Sequence, residues 1–311
     1  LTVNKIAITT GDPNGIGAEI TIKALNKLDL PNEEVVLISN RKILDFYGKL
    51  NKDYEIIEIP YNTEIEPGKV TAEAGEFSFL SVKKACEINP KAIVTAPVAK
   101  NALYLAGHKF NGQTEILQKY LAHGKQSAEM LFVAKSFRVL LLTRHTALKD
   151  ICITKEMVVD KIINLEKFFI EKLKISNPRF ALCAFNPHAG EDGILGSEEL
   201  EILNPAVKEL QQKGISITNP LPADTLFVDA ARNYFGKAAP NDKNYDCYIA
   251  NYHDQGLIPI KTVAGEETVN MTIGLDVIRT SPGHGTAFDI AGKNTANEDG
   301  MIAAIQEILN Q

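Results

Sequence analysis

Apolar residues recur along the chain in two rhythms. Short apolar runs at residues 5–10, 34–39, 55–59 and 92–95 alternate with longer segments at 18–28, 41–50 and 71–88, where apolar positions return every three or four residues. Short runs bounded by polar turns read as strands, and the longer periodic segments as helices. Strand–helix alternation of this kind implies a parallel sheet with helices on its faces. Residues 61–70, with Pro67 and Gly68, read as an irregular connection. Further on, 130–133 and 137–143 read as two strands of a hairpin. They are followed by a helix at 155–173, a strand at 179–184 and a helix at 197–213 that Gly214 can stop. Strands at 215–218, 246–250 and 268–273 and helices at 230–235 and 299–309 complete the pattern. No repeat or low-complexity linker interrupts it.

Composition narrows the class. A chain of 311 residues with 45% hydrophobic and 23% charged residues has room for two ordinary globular domains. The net charge of −6 gives no basic stripe for nucleic acid. No apolar run is long enough for a membrane helix. The start, LTVNKIAITTGD, passes directly into a strand without an apolar leader, so a cytoplasmic protein is expected. Cys86, Cys152, Cys183 and Cys247 form no CxxC pair and lie beside apolar residues, as reduced thiols do.

Chemistry gathers where apolar strands end. His145 follows VLLLT, His188 follows FALCAF, and His253 follows YIA in the stretch ANYHDQGLIPIK. Parallel strands bring their carboxyl ends to one edge, where ligands of open α/β sheets bind. Three imidazoles at such an edge suit a divalent cation with a position left open for substrate; a metal-free substrate site is the alternative. In the same stretch Gly256 is expected to let the chain turn. Lys261, Asn270 and Arg279 are polar residues in apolar surroundings, suited to a carboxylate or phosphate, or else to surface ion pairs. The turn GDPNGIG lies between a strand and a helix but matches neither a dinucleotide fingerprint nor a P-loop, so a phosphate cradle and a plain helix start both remain open. The late segment GHGTAFDIAGKNTAN, with Gly285 and Asp289, offers backbone amides and a carboxylate able to accept from ribose hydroxyls.

These residues sit in motifs that, in order, are TTGDPNGIGAEI, TAPVAK, GQTEIL, NPHAGEDGILGSEE, LPADTLF, YHDQGLIPIK and VNMTIGLDVIRTSPGHGTAFDIAGK. Together they resemble the 4-hydroxythreonine-4-phosphate dehydrogenase family of pyridoxal phosphate biosynthesis over nearly the whole chain. The resemblance implies a fold similar to isocitrate and isopropylmalate dehydrogenases: two α/β/α domains with a cleft between them, in a homodimer whose active site is shared across the interface. The domains would be 1–126 plus 270–311, carrying the cofactor loop, and 127–269, carrying metal and dimer contacts. It implies His145, His188 and His253 as ligands of zinc, cobalt, nickel, magnesium or manganese, one of them supplied by the partner. Thr114, Lys261, Asn270 and Arg279 would contact the substrate, a small phosphorylated hydroxy acid. NAD is the implied cofactor, with Asp289 at the ribose and Asn297 at the adenine. The proton acceptor stays open among Asp254, Asp224 and Lys261, the last if burial and neighbouring cations lower its pKa.

One departure is specific. Gln113 stands where the family usually has histidine, and glutamine can donate to an anion but cannot carry charge. Relatives with similar motifs act on threonate or erythronate 4-phosphate, which makes those substrates the alternative. A phosphate-acyl transferase or a non-catalytic metal-binding module is the rival of another class, and the late adenosine-type loop argues against it.

Overall fold

The computed structural model describes residues 3–122 and 127–311. The expected domain limit at residue 126 lies outside the described residues. The chain is α/β and divides into two compact units, one formed by residues up to Ala128 together with Val269–Gln311, the other by Glu129–Thr268.

The first unit opens with β1 (Val3–Thr9), α1 (Gly17–Leu28), β2 (Val35–Ser39), α2 (Arg41–Tyr47), β3 (Glu55–Glu58), α3 (Ala72–Glu87), β4 (Pro90–Thr95), α4 (Lys100–Leu105) and α5 (Gln113–Leu121). The second unit contains β5 (Glu129–Ala134), β6 (Phe137–Leu141), α6 (Lys155–Glu171), β7 (Arg179–Leu182), α7 (Asn204–Gln212), β8 (Ser216–Ile217), α8 (Ala223–Tyr234), β9 (Cys247–Ala250) and α9 (His253–Ala264). The chain then returns to the first unit with β10 (Val269–Ile273), β11 (Ile278–Pro282) and α10 (Asp299–Leu309).

In the first unit the strand order is β3-β2-β1-β4-β11-β10, parallel except for the β10–β11 pair. Alternation along the strands feeds two cores. Ile6, Ile8, Val35, Leu37 and Val94 pack with Ile20 of α1 and Met301 and Ile305 of α10. Ala7, Val36, Ile38 and Ile93 pack with Phe77 and Val82 of α3 and Ile116 of α5. Buried on both faces, these strands read as continuous apolar runs rather than alternating ones. In the second unit the order is β5-β6-β9-β7-β8, with β5–β6 the expected hairpin and the rest parallel. One face packs Val139, Ala181 and Tyr248 on Phe227 of α8 and Ile260 of α9. On α6, Phe169 meets Phe180 of β7 edge to face, ring centres 5.5 Å apart.

Five elements differ from the expectation. α4, α5 and β11 were not expected, and α8 begins at Ala223 rather than residue 230. α9 begins at His253 itself, so Gly256 is helical and makes no turn. A Cβ on Gly256 would lie 2.6 Å from Leu141 Cδ2 and 2.8 Å from Val139 Cγ1. Glycine is needed there because α9 lies directly on β6. No described helix is long and apolar enough to cross a membrane.

Candidate active site

In the second unit, β6 and β7 flank β9 in parallel, so their carboxyl ends sit side by side. Two amides lock those ends together. Asn251 Nδ2 donates to the Cys183 carbonyl at 2.9 Å, and Gln255 Nε2 donates to the Ala184 carbonyl at 2.8 Å. Gln255 Oε1 accepts from the Asn251 backbone N–H at 2.7 Å, and the Asn251 carbonyl accepts from Thr143 Oγ1 at 2.7 Å. Part of the polar density in ANYHDQG is therefore framework, which removes the need for a separate explanation of each residue.

On that framework His145 and His253 come together, with ring centres 5.6 Å apart. His253 Nδ1 lies 2.7 Å from Asp254 Oδ1. A proton on Nδ1, donated to the carboxylate, leaves Nε2 as the ring's lone-pair nitrogen. The two rings border a cavity of about 430 Å³, lined also by Arg144, Thr146, Leu148, Ile151 and Tyr252. Two imidazoles bound to one cation through nitrogens at about 2.1 Å place their ring centres roughly 5–6 Å apart. The pair, with a carboxylate behind one ring, fits two positions on such an ion. The described residues hold no group of three His, Cys, Asp or Glu side chains placed for a metal.

His188 is absent from that cavity lining. It begins a left-handed turn in which His188, Ala189, Gly190, Glu191 and Asp192 all have φ between 43° and 79°. Left-handed backbone costs a non-glycine residue about 1–2 kcal/mol, so the turn needs support. Glu199 supplies it: its Oε1 accepts from the Phe185 and Asn186 backbone N–H groups, each at 2.7 Å, and its Oε2 from Asn186 Nδ2 at 2.9 Å. The turn holds the His188 side chain out from the surface, 70% exposed. Asp224 lies in the first turn of α8, exposed, accepting from the Thr225 N–H at 3.0 Å. Lys261 is exposed in the last turn of α9, so its own unit does not provide the burial suggested for a lysine base.

The first unit carries the other expected substrate residues. Arg279, only 2% exposed, donates from Nε and Nη2 to Thr95 Oγ1 and from Nη1 to Thr272 Oγ1. Burial pulls its pKa down to about 10. Both of its partners are neutral hydroxyls. Asn270 stands two residues from Thr272 on β10, on the same sheet face. Its Oδ1 is buried without a hydrogen-bond partner. Gln113 opens α5 with Thr114 beside it, and Gln113 Nε2 donates to the Ala96 carbonyl at 3.0 Å.

The late loop rests on the GDPNGIG turn. Ile16 N–H donates to the Thr286 carbonyl, and a Cβ on Gly15 would come within 3.0 Å of the same atom. Lys23 Nζ donates to the Ala296 carbonyl at 2.9 Å and to Glu19 Oε1 at 2.8 Å, and that oxygen also accepts from the Ala296 N–H at 2.8 Å. Asn297 Oδ1 accepts from the Asp299 N–H at 3.0 Å, capping α10. Asp289 and Gly285 are exposed, with open space around Gly285. The GDPNGIG turn thus serves as the support of the later loop, a role its sequence does not suggest. Sequence reasoning also passed over Glu199, Glu19 and Lys23. Asn251 and Gln255 were visible as paired amides at a strand end.

Comparison with known proteins bears on the whole chain. The family model for the pyridoxal phosphate biosynthetic protein PdxA matches residues 5–308. A 4-hydroxythreonine-4-phosphate dehydrogenase of Sulfurihydrogenibium sp. (strain YO3AOP1) is 39% identical, covering 97% of this chain and 96% of that one. A D-threonate 4-phosphate dehydrogenase of Salmonella typhimurium is 37% identical, covering 97% of each. The crystal structure of a 4-hydroxythreonine-4-phosphate dehydrogenase from Klebsiella pneumoniae superposes with a TM-score of 0.85 at 32% identity, covering 99% of this chain and 100% of that one. A family model that matches residues 5–308 and relatives matched from end to end show the family: the chain belongs to the PdxA family of dehydrogenases.

Proposed function

We propose that the chain oxidises and decarboxylates a phosphorylated 3-hydroxy acid with NAD, 4-hydroxythreonine 4-phosphate being the first candidate and D-threonate or D-erythronate 4-phosphate the second. With the first, the product is 3-amino-2-oxopropyl phosphate, consistent with a place in pyridoxine biosynthesis in the cytoplasm. The observation that carries the reading is the paired His145 and His253 bordering a cavity, in a chain matched from end to end by dehydrogenases of such substrates.

His145 and His253 would hold a divalent cation, zinc, cobalt, nickel, magnesium or manganese, which supplies Lewis acidity toward the reacting hydroxyl. Asp254 keeps His253 in the tautomer and orientation a ligand needs, so its carboxylate is engaged. That leaves Lys261 and Asp224 as the candidates to take the hydroxyl proton. His188, exposed on its left-handed turn, is offered to the site of a second copy, which makes the enzyme a homodimer with shared active sites. Arg279, Lys261 and Thr114 would hold the anionic groups of the substrate. Asp289 would accept from the ribose hydroxyls of NAD, the Gly285 backbone would permit close approach, and Asn297 would lie at the adenine.

The test is a turnover screen with NAD, one divalent metal at a time, and the three phosphorylated acids. Reduced nicotinamide formed with at least one metal and one acid, and lost in His253→Ala, supports the reading. No reduced nicotinamide with any combination overturns it.

A further inference from the structure

Between β11 and α10 the described residues 283–298 form neither helix nor strand. Such a segment supplies few partners for its own backbone, so other elements must hold it in place. α1 holds its last part. Glu19 and Lys23 stand four residues apart on one face of that helix and pair at 2.8 Å. Between them they engage both backbone polar groups of Ala296. Glu19 Oε1 accepts from its N–H at 2.8 Å, and Lys23 Nζ donates to its carbonyl at 2.9 Å. Lys23 Nζ also donates to the Asn294 carbonyl at 3.3 Å, where the backbone is left-handed with φ 56°. Glu19 and Ala296 are buried, so the bond between them is shielded from water, where a charged partner contributes most. One turn further along α1, Lys27 reaches Glu298 at 3.4 Å and Asp299 at 3.3 Å, but that contact lies at the surface, where an ion pair contributes little.

The inference rests on the proposed reading of this loop as the seat of the adenosine half of NAD. Two observations support that fit: the space beside Gly285 is open, and Asp289 is exposed, with its carboxylate available to hydroxyl donors. Asn297, proposed to lie at the adenine, follows Ala296 directly, so the bonds to Ala296 set where its backbone stands. A loop already fixed in its bound form spares the ligand the entropy of ordering it. We propose that Glu19 and Lys23 are positioning residues for the cofactor. From α1 they fix residues 294–296 and so present Asn297 to the adenosine half of NAD, acting through the Ala296 backbone rather than by contact with the cofactor. The reacting ring belongs to the other half of the cofactor, so their effect falls on affinity and leaves the chemical step alone.

The probe is ADP-ribose, which carries the adenosine half of NAD without the nicotinamide. Its Kd is measured by isothermal titration calorimetry on the wild type, Lys23→Met, Lys23→Arg and Lys27→Met, and kcat and the KM for NAD are measured on the same proteins. A thermal melt confirms that each is folded; should Lys23→Met fail that check, Lys23→Gln, uncharged and shorter, takes its place. Lys23→Met should weaken ADP-ribose by roughly tenfold, raise the KM for NAD by a similar factor and leave kcat within about twofold of wild type. Lys23→Arg still donates to a carboxylate and a carbonyl and should recover most of the loss. Lys27→Met, which removes a charge from the same helix, should bind ADP-ribose as the wild type does. An unchanged Kd in Lys23→Met, an equal loss in Lys27→Met, or a fall in kcat as large as the fall in affinity would overturn the assignment. Wild-type protein that binds no ADP-ribose instead refutes the NAD reading on which it rests.

Discussion

Asp12 is fully buried in the GDPNGIG turn. Its Oδ1 accepts from the Asn14 N–H at 2.9 Å, while Oδ2 is buried without a partner. Burial raises its pKa from 3.8 to about 6, opposed by the Asn14 hydrogen bond and the nearby Ala99 backbone N–H. A carboxyl with a raised pKa binds its proton more tightly in the folded state. Its contribution to stability is therefore fully present below pH 3.8 and lost as pH rises through about 6. A shift of about two units at 1.36 kcal/mol each makes the ionised side chain cost the fold about 3 kcal/mol at neutral pH. Roughly 2 kcal/mol of that develops between pH 4 and pH 8. Asp12→Asn keeps an acceptor for the Asn14 N–H and removes the charge. The new amide N–H carries its own cost, but that cost does not vary with pH. Urea unfolding of both proteins at unit steps across this range gives the stability difference directly. It should move in favour of the variant by about 2 kcal/mol from pH 4 to pH 8. A difference that stays flat across the range refutes the account of Asp12 as a buried carboxylate ionised at a cost.

Other expectations follow from the same geometry. Inactive His188→Ala and His253→Ala chains, mixed and allowed to exchange subunits, should recover up to about a quarter of wild-type activity, because each hybrid dimer then holds one intact site; no recovery despite demonstrated exchange would speak against a shared site. Asp289→Asn should narrow the preference for NAD over NADP by roughly tenfold in kcat/KM, since a carboxylate facing the ribose repels a 2′-phosphate, whereas an unchanged ratio rules out the ribose role. Gly256→Ala should lower stability by about 1–3 kcal/mol, because the added methyl meets Leu141, Val139 and Ala250; a thermal melt equal to wild type would show that α9 can shift without penalty.

Much of the architecture is legible in the chain because burial on both faces writes long apolar runs, as in β1, β2 and β4. β11 escaped because its sequence, IRTSP, is polar and ends in proline, yet it is buried between β4 and β10. Its arginine makes this possible by bonding to threonine hydroxyls of its neighbours rather than to water. α5 carried a readable signal in Ile116, Leu117 and Leu121, all buried at helical spacing, but the GQTE motif drew the reading toward chemistry. At the site, strand-end position was enough to single out His145 and His253. The placement of His188 was not readable, since a left-handed turn with one glycine in five residues has no compositional mark. Gly256 shows the same limit from the other side: glycine in sequence signals either a turn or a close approach, and only the distance to Leu141 decides.

The first unit is assembled from both ends of the chain, and this bears on how the protein is made. β4 is complete at Thr95, but the strand that covers its open edge begins only at Ile278. At translation rates of about 5–20 residues per second, that edge waits on the order of ten seconds or more for its partner. Throughout that interval the second unit, continuous in sequence, can finish folding while the first cannot. The nascent chain thus exposes an apolar strand edge, the kind of surface that holding chaperones bind and that neighbouring ribosomes' products can pair with. Completion of the first unit therefore waits until β10, β11 and α10 have been synthesised.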